Sequence, residues 1–394
     1  MSASTQPADT HPTGPGPAGA TPPGTPPGTP PGPGSSGPQP KKKKRGRPFL
    51  HATTVLALLA GSAYLTVELR KDEQAKAPAV QAITDTPGKL ENGGKETGEQ
   101  TWERLKSPAR SVLRGSDGDI LATFTDGART ATLTGPSRTF SEPTNTKSRI
   151  VTEDWVRLMP EAWKEGAEKE KWFKDWFKEF YGSEEDDIFA FAFQYIEGAP
   201  VKKDEEGVSY AGDADFGPVN ESVAGDRLEQ SDFYDYLGIP YTFRDGTTMQ
   251  PQKDRYRAID CSGFVRTVYG YRARYPLMAT DKVGDGLPRT ANGMTRSKVG
   301  VDIYKLHGPE PRYTRPDSTS KLQPGDLIFF WMDKRTGNRL DHAGIYLGTD
   351  TDGHQIFISS RKEVNGPTMG DQGGTSRLDG NGFYAALFRA AKRL

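Results

Sequence analysis

A single cysteine, Cys261, sits within RAIDCSGFVRTVYG, residues 257–270, and no other occurs in the 394 residues. One cysteine cannot make an intrachain disulfide or a tetracysteine zinc site. It is left with two uses, a small buried hydrophobe or a nucleophile. A nucleophilic cysteine needs a helix N-terminus beside its sulfur and a histidine base brought in from elsewhere. The residues after Cys261 supply the first. Phe264, Val265, Val268 and Tyr269 recur at helical spacing, and Asp260 and Ser262 are cap-type residues. A helix is therefore predicted to start at Cys261, with backbone N–H groups aimed at the sulfur. Histidine supply is short. Of five, His11 and His51 fall outside the globular part, leaving His307, His342 and His354. His342 opens DHAGIYLG, an apolar strand-like run that follows LQPGDLIFFW, and a histidine at that strand start could reach the thiol. His307, in the turn-rich KLHGPEP, is expected to be incidental.

The elements that must position this pair occupy the C-terminal half, and what precedes them is of another character. Residues 1–47 form a Pro/Gly-rich segment with TPPG three times over, expected to be disordered, ending in the basic block KKKKRGR. The run Phe49–Val67 carries no acidic or basic residue apart from His51. Its length is near the roughly 20 residues a helix needs to cross a bilayer. Residues 48–69 are therefore expected to form a transmembrane signal-anchor. The basic block lies on its N-terminal side, which places the N-terminus in the cytoplasm and the rest of the chain outside. A cleaved signal with GSA (Gly61–Ala63) as the cut is the alternative, and it would release a secreted protein. A buried soluble helix is disfavoured by the polybasic flank.

Residues 70–100 read as a linker and 101–200 as an accessory domain. Its strand candidates are SVLRG, ILATFTDG and RTATLTG, separated by Gly and Asp turns. Glu161 to Tyr181 is expected to be helical, with Trp172, Phe173, Trp176, Phe177 and Phe180 as an aromatic stripe packed on the neighbouring domain. DDIFAFAFQYIEG is read as helix from its alanines and Asp start. Residues 201–394 are the expected catalytic domain. Basic and acidic residues balance at 52 each, which argues against nucleic acid as a partner.

Over about Leu228 to Leu394 the chain resembles the NlpC/p60 family of papain-like cell-wall cysteine peptidases. The matching pieces occur in family order: YLGIPYTF with Tyr241, DCSGFV with Cys261, LPRTANGM, LQPGDLIFF, DHAGIYLG with His342, then FISS. The resemblance implies an α+β, papain-like core in which the helix carrying Cys261 packs on an antiparallel sheet carrying His342. It implies a cysteine endopeptidase acting on peptidoglycan stem peptides, with no metal or organic cofactor, and a monomer is expected. Cys261 would attack the peptide carbonyl and His342 would activate it. Tyr241, Asp260 and Ser262 match positions that line the family's cleft and hold the polar end of a stem peptide. Their other possible roles are a packed tyrosine and two helix-cap residues.

The sequence departs from the family at the third polar position, where His, Asn, Gln or Glu is usual. Aligning FISS on the strand pattern puts Ser359 there, and an ungapped count from His342 puts His354 there. Ser359 is preferred, because IFIS keeps the strand hydrophobicity and TDTDG is turn-forming. The two lie five residues apart, so on a regular strand they point to opposite faces. The unusual third residue also leaves open an alternative function, a catalytically weak or inactive cell-wall binding protein on the same fold.

Overall fold

The computed structural model describes residues 100–371 and 376–394. The Pro/Gly-rich tail, the basic block, the expected transmembrane run and all of the linker but Gln100 lie outside the described residues. Among the described residues no helix is long and apolar enough to cross a membrane.

The chain first forms an antiparallel meander of five strands, β1 (Thr101–Leu105), β2 (Arg110–Arg114), β3 (Ile120–Thr125), β4 (Thr130–Ser141) and β5 (Arg149–Leu158). SVLRG, ILATFTDG and RTATLTG lie on β2, β3 and β4. The aromatic helix then lies across this sheet, but it is shorter than expected, Lys171–Phe180. Gly166 adopts a left-handed φ of 91° ahead of a short 3-10 turn, Ala167–Lys169, and this breaks the run from Glu161. The aromatic stripe does not face a neighbouring domain. It packs on its own sheet, with Phe173 edge-on to Phe124 at 5.2 Å and the Trp176 indole N–H donating to the Leu158 carbonyl at 3.1 Å. Phe173 and Trp176 share a core with Leu133, Trp155 and Trp163. A sheet with one apolar face leaves that face open until a helix covers it.

The apolar IFAFAF segment is a helix, Ile188–Phe193. Asp187 caps it by accepting from Ala190 N–H, and the same carboxylate takes the Val156 N–H and pairs with Arg138, so the helix is stapled to the sheet. Small hairpins follow, β6 (Lys202–Lys203) with β7 (Ser209–Ala211), and β8 (Tyr241–Thr242) with β9 (Thr248–Met249). Between them lies a short helix, Phe233–Leu237, closed by a capping box of Asp232 and Asp235.

The second sheet is antiparallel with strand order β10-β15-β11-β12-β13-β14. Its members are β10 (Val301–Tyr304), β11 (Leu327–Phe330), β12 (His342–Thr349), β13 (Gln355–Arg361), β14 (Gly366–Thr368) and β15 (Phe388–Arg393). The α-helix Cys261–Val265 continues as a π-helix, Arg266–Arg272. Phe264, Val265, Val268 and Tyr269, the face predicted from spacing, are buried in one core with Phe329, Ala343, Ile345 and Ile358 of the sheet. The two sheets meet at Gly325, before β11. Its φ is +92°, and a Cβ there would lie 2.5 Å from Val156 of β5. Only glycine satisfies both demands.

Candidate active site

Cys261 is the first residue of its helix, and the turn before it is held by charge. The Asp260 carboxylate caps the helix by accepting from Gly263 N–H at 2.7 Å, and also takes the Gln230 N–H and a bidentate contact from Arg289. Burial works against that charge, but Arg289 and the N–H donors win and hold the carboxyl below its ordinary range. Ser262 donates to Asp260 and accepts from Arg289 at 2.8 Å. Gly263 is required next, since a Cβ there would sit 2.2 Å from the Ser231 carbonyl oxygen. Behind this layer Arg266 and Asp232 pair at 2.9 Å with both side chains fully buried.

His342 is the first residue of β12, and its strand lies against the Cys261 helix. Both residues line one cavity of about 560 Å³, together with Phe216, Glu229, Met332, Asp341 and Tyr384. The thiol donates to the Asp341 carbonyl oxygen at 3.8 Å. Burial pushes the Cys261 thiol well above its ordinary value, and the carboxylates of Asp260 and Glu229 add to the effect. Burial likewise lowers His342, to about 3, with Arg361 acting in the same direction and Asp260 against it. A resting pair of neutral thiol and neutral imidazole follows from both shifts. The helix start was expected to stabilise a thiolate. In the free protein, burial and two carboxylates outweigh it.

Ser359 on β13 is fully buried, and its hydroxyl lies 3.0 Å from His342 Nε2. His354 does not reach this site. It precedes β13, and its Nδ1 meets Asp379 at 3.0 Å. The exposed His307 ring meets the Lys305 carbonyl at 3.1 Å, two residues away in the same loop.

The three residues expected along the cleft are placed otherwise. Asp260 and Ser262 are buried, with polar atoms turned into the cap and the Arg289 pair. Tyr241 packs its ring on Phe233 and Phe243, at 4.7 and 4.9 Å, and is not among the cavity's lining residues. The cap and packing alternatives describe all three. The cavity is instead bordered by charges of both signs, Glu229, Asp333, Arg335, Lys362 and Glu363. None of these was legible, because they come from loops and strand ends that carry no periodicity. Arg361 was legible in principle, since it stands two residues after Ser359 and so shares its face of the strand.

The five-stranded sheet touches the same region. Glu142, just after β4, accepts from Thr368 Oγ1 and Met369 N–H, both at 2.8 Å. Thr368 is the residue opposite Ser359 in the β13–β14 ladder. Among the described residues no group of three His, Cys, Asp or Glu side chains is arranged to hold a metal ion.

Residues 238–391 match the NlpC/P60 family. No curated protein matches the chain. Among solved structures, NlpC1 from Trichomonas vaginalis is similar at 11% identity over 80% of this chain and 99% of that one. The TM-score is 0.22, too low to imply shared geometry.

Proposed function

We propose that this chain, which carries an NlpC/P60 domain over residues 238–391, is an exported cysteine endopeptidase that cuts peptide bonds in peptidoglycan stem peptides. The family match supports cell-wall peptidase activity and peptidoglycan peptides as the substrate class. The observation that carries the catalytic reading is the cavity wall shared by Cys261 and His342, with Nε2 of the imidazole engaged by Ser359. Nδ1 is then the nitrogen left for the thiol.

Cys261 Sγ attacks the scissile carbonyl as its proton passes to Nδ1, and the carbonyl electron pair moves onto oxygen. The backbone N–H of Cys261, at the helix start, would stabilise that oxyanion. Collapse of the adduct expels the amine, which takes the proton from His342. Water, activated by the same imidazole, then releases the acyl group from sulfur. The mixed charges at the cavity rim suit a short peptide with carboxylate and ammonium ends. The uncharged run Phe49–Val67 behind its basic block would tether the protein, N-terminus inside and catalytic domain outside.

The test is digestion of purified muropeptides by the full-length protein, read by mass spectrometry. New fragments that match one peptide-bond cut, absent with Cys261→Ala, are expected, and intact muropeptides would overturn the reading. For the tether, the protein is expected in the membrane fraction after alkaline carbonate. A mature chain beginning near Tyr64 would replace the anchor by a cleaved signal.

A further inference from the structure

We propose that Arg361 is a positioning residue of this site, which fixes the Ser359 hydroxyl against His342 and sets a cation behind the hydrogen-bond partner of that ring. The inference rests on the catalytic reading above and adds to it the group that sets the base.

Arg361 is buried on β13, two residues beyond Ser359 and on the same face. Its Nε donates to Ser359 Oγ at 3.0 Å, the same oxygen that meets His342 Nε2 at 3.0 Å. Its two terminal nitrogens donate to the Gly370 carbonyl, at 2.8 Å, and to Ser376 Oγ. The guanidinium lies over the rings of Tyr384 and Phe357, at 4.6 and 5.1 Å. The Tyr384 ring also stands 5.7 Å from the imidazole. A planar fork held on three nitrogens and packed beside two rings has little freedom left.

The consequence for Ser359 is a matter of counting. A hydroxyl oxygen has two lone pairs and one proton. Arg361 cannot give up its own proton, so one lone pair is permanently taken. The second is free to accept Nε2–H, the tautomer that leaves Nδ1 able to take the thiol proton. Serine brings no negative charge to offset an imidazolium, and a fixed cation stands one atom further on. The charged and titratable groups around the ring are Arg361 from β13, Asp260 and Cys261 from the nucleophile helix, Asp341 beside it in sequence, and Tyr384 from the helix Phe383–Leu387. Of these, Arg361 disfavours the protonated ring and Asp260 favours it. Proton transfer from Cys261 is therefore tied to arrival of the carbonyl, not completed beforehand.

The experiment is the pH dependence of muropeptide hydrolysis by the full-length protein, with Arg361→Gln and Arg361→Lys. The acid limb of kcat/KM reports the base in the free enzyme. Arg361→Gln removes the cation, so the limb should move up by about one pH unit, with kcat down about tenfold and KM within about twofold. Arg361→Lys keeps the charge but loses the Nε fork. The limb should stay in place while kcat falls by about tenfold. In a Ser359→Ala background, Arg361→Lys should cost no further turnover, because the relay is already broken. An unmoved limb in Arg361→Gln, or a folded Arg361→Lys with wild-type kcat, would overturn the proposal and leave the catalytic reading standing. Loss of the fold in both Arg361 variants would mark a purely structural cation and overturn it too. If the wild-type protein cuts no muropeptide, the catalytic reading falls, and this inference with it.

Discussion

The two sides of the cavity are built on different plans. Around the nucleophile helix, Asp232, Asp260, Arg266 and Arg289 form a buried cluster in which cations and carboxylates face each other directly. Around the base, the buried Arg361 donates to Ser359, Ser376 and Gly370 and lies beside two aromatic rings. The first plan fixes a backbone turn. The second sets the chemistry of one ring. The carboxylate beside Cys261 raises the thiol and the cation behind Ser359 lowers the imidazole, so each disfavours the charged form of the group it faces. A buried pair prepared in this way does not spend stability on separated charges before substrate arrives.

The largest effect should come from removing the pair on which both plans converge. Cys261→Ala and His342→Ala should each lower muropeptide hydrolysis by about three orders of magnitude or more. The double variant should be little worse, as for groups that act as one unit. His307→Ala should leave turnover unchanged, and a loss equal to that of His342→Ala would reassign the base.

Breaking the nucleophile side should register as stability, not chemistry. Arg266→Met leaves Asp232 buried without its closest cation, and should cost about 3–5 kcal/mol in denaturant unfolding. A change of less than about 1 kcal/mol would show that Arg289, 3.4 Å from the same carboxylate, suffices alone.

On the base side, Ser359→Ala should lower kcat by about tenfold, the scale of one modest hydrogen bond near 1.4 kcal/mol, with the fold intact. A pH effect accompanies it. The unfolded chain takes a proton on His342 near the ordinary 6.5, whereas the folded protein resists until about 3. The neutral ring's contribution to stability is therefore complete above pH 6.5 and is lost as pH falls through that window. The slope of unfolding free energy against pH between those values should flatten in His342→Gln.

The smallest effect is expected at His354, whose partner Asp379 is about as exposed as itself. His354→Ala should shift stability by less than about 0.5 kcal/mol and leave hydrolysis within about twofold. A tenfold loss of turnover would put His354 back as the residue that orients the base.

Local signals in the sequence carried the elements of the site. An N-cap aspartate before Cys261 and an apolar face at helical spacing behind it specify a helix start, because capping and amphipathicity are properties of neighbouring residues. The apolar run opening with His342 and the IFIS run specify two strands, and alternation separates Ser359 from His354, since side chains five apart on a strand face oppositely. The strands of the first sheet announced themselves through their turns, though β1 and β5 did not. What the sequence left open depends on which distant groups share a cavity. Asp260 and Ser262 look equally suited to bind substrate or to cap, and only the fold brings Arg289 to them and turns both inward. Tyr241 looks like a cleft residue until its ring finds Phe233 and Phe243. The aromatic stripe declares a buried face but not its partner, because many sheets present the same apolar surface. The charge state of the dyad was least legible of all. It is set by burial and by Arg361, Asp260 and Glu229, which come from separate parts of the chain. Desolvation is a property of the assembled cavity and of no single segment.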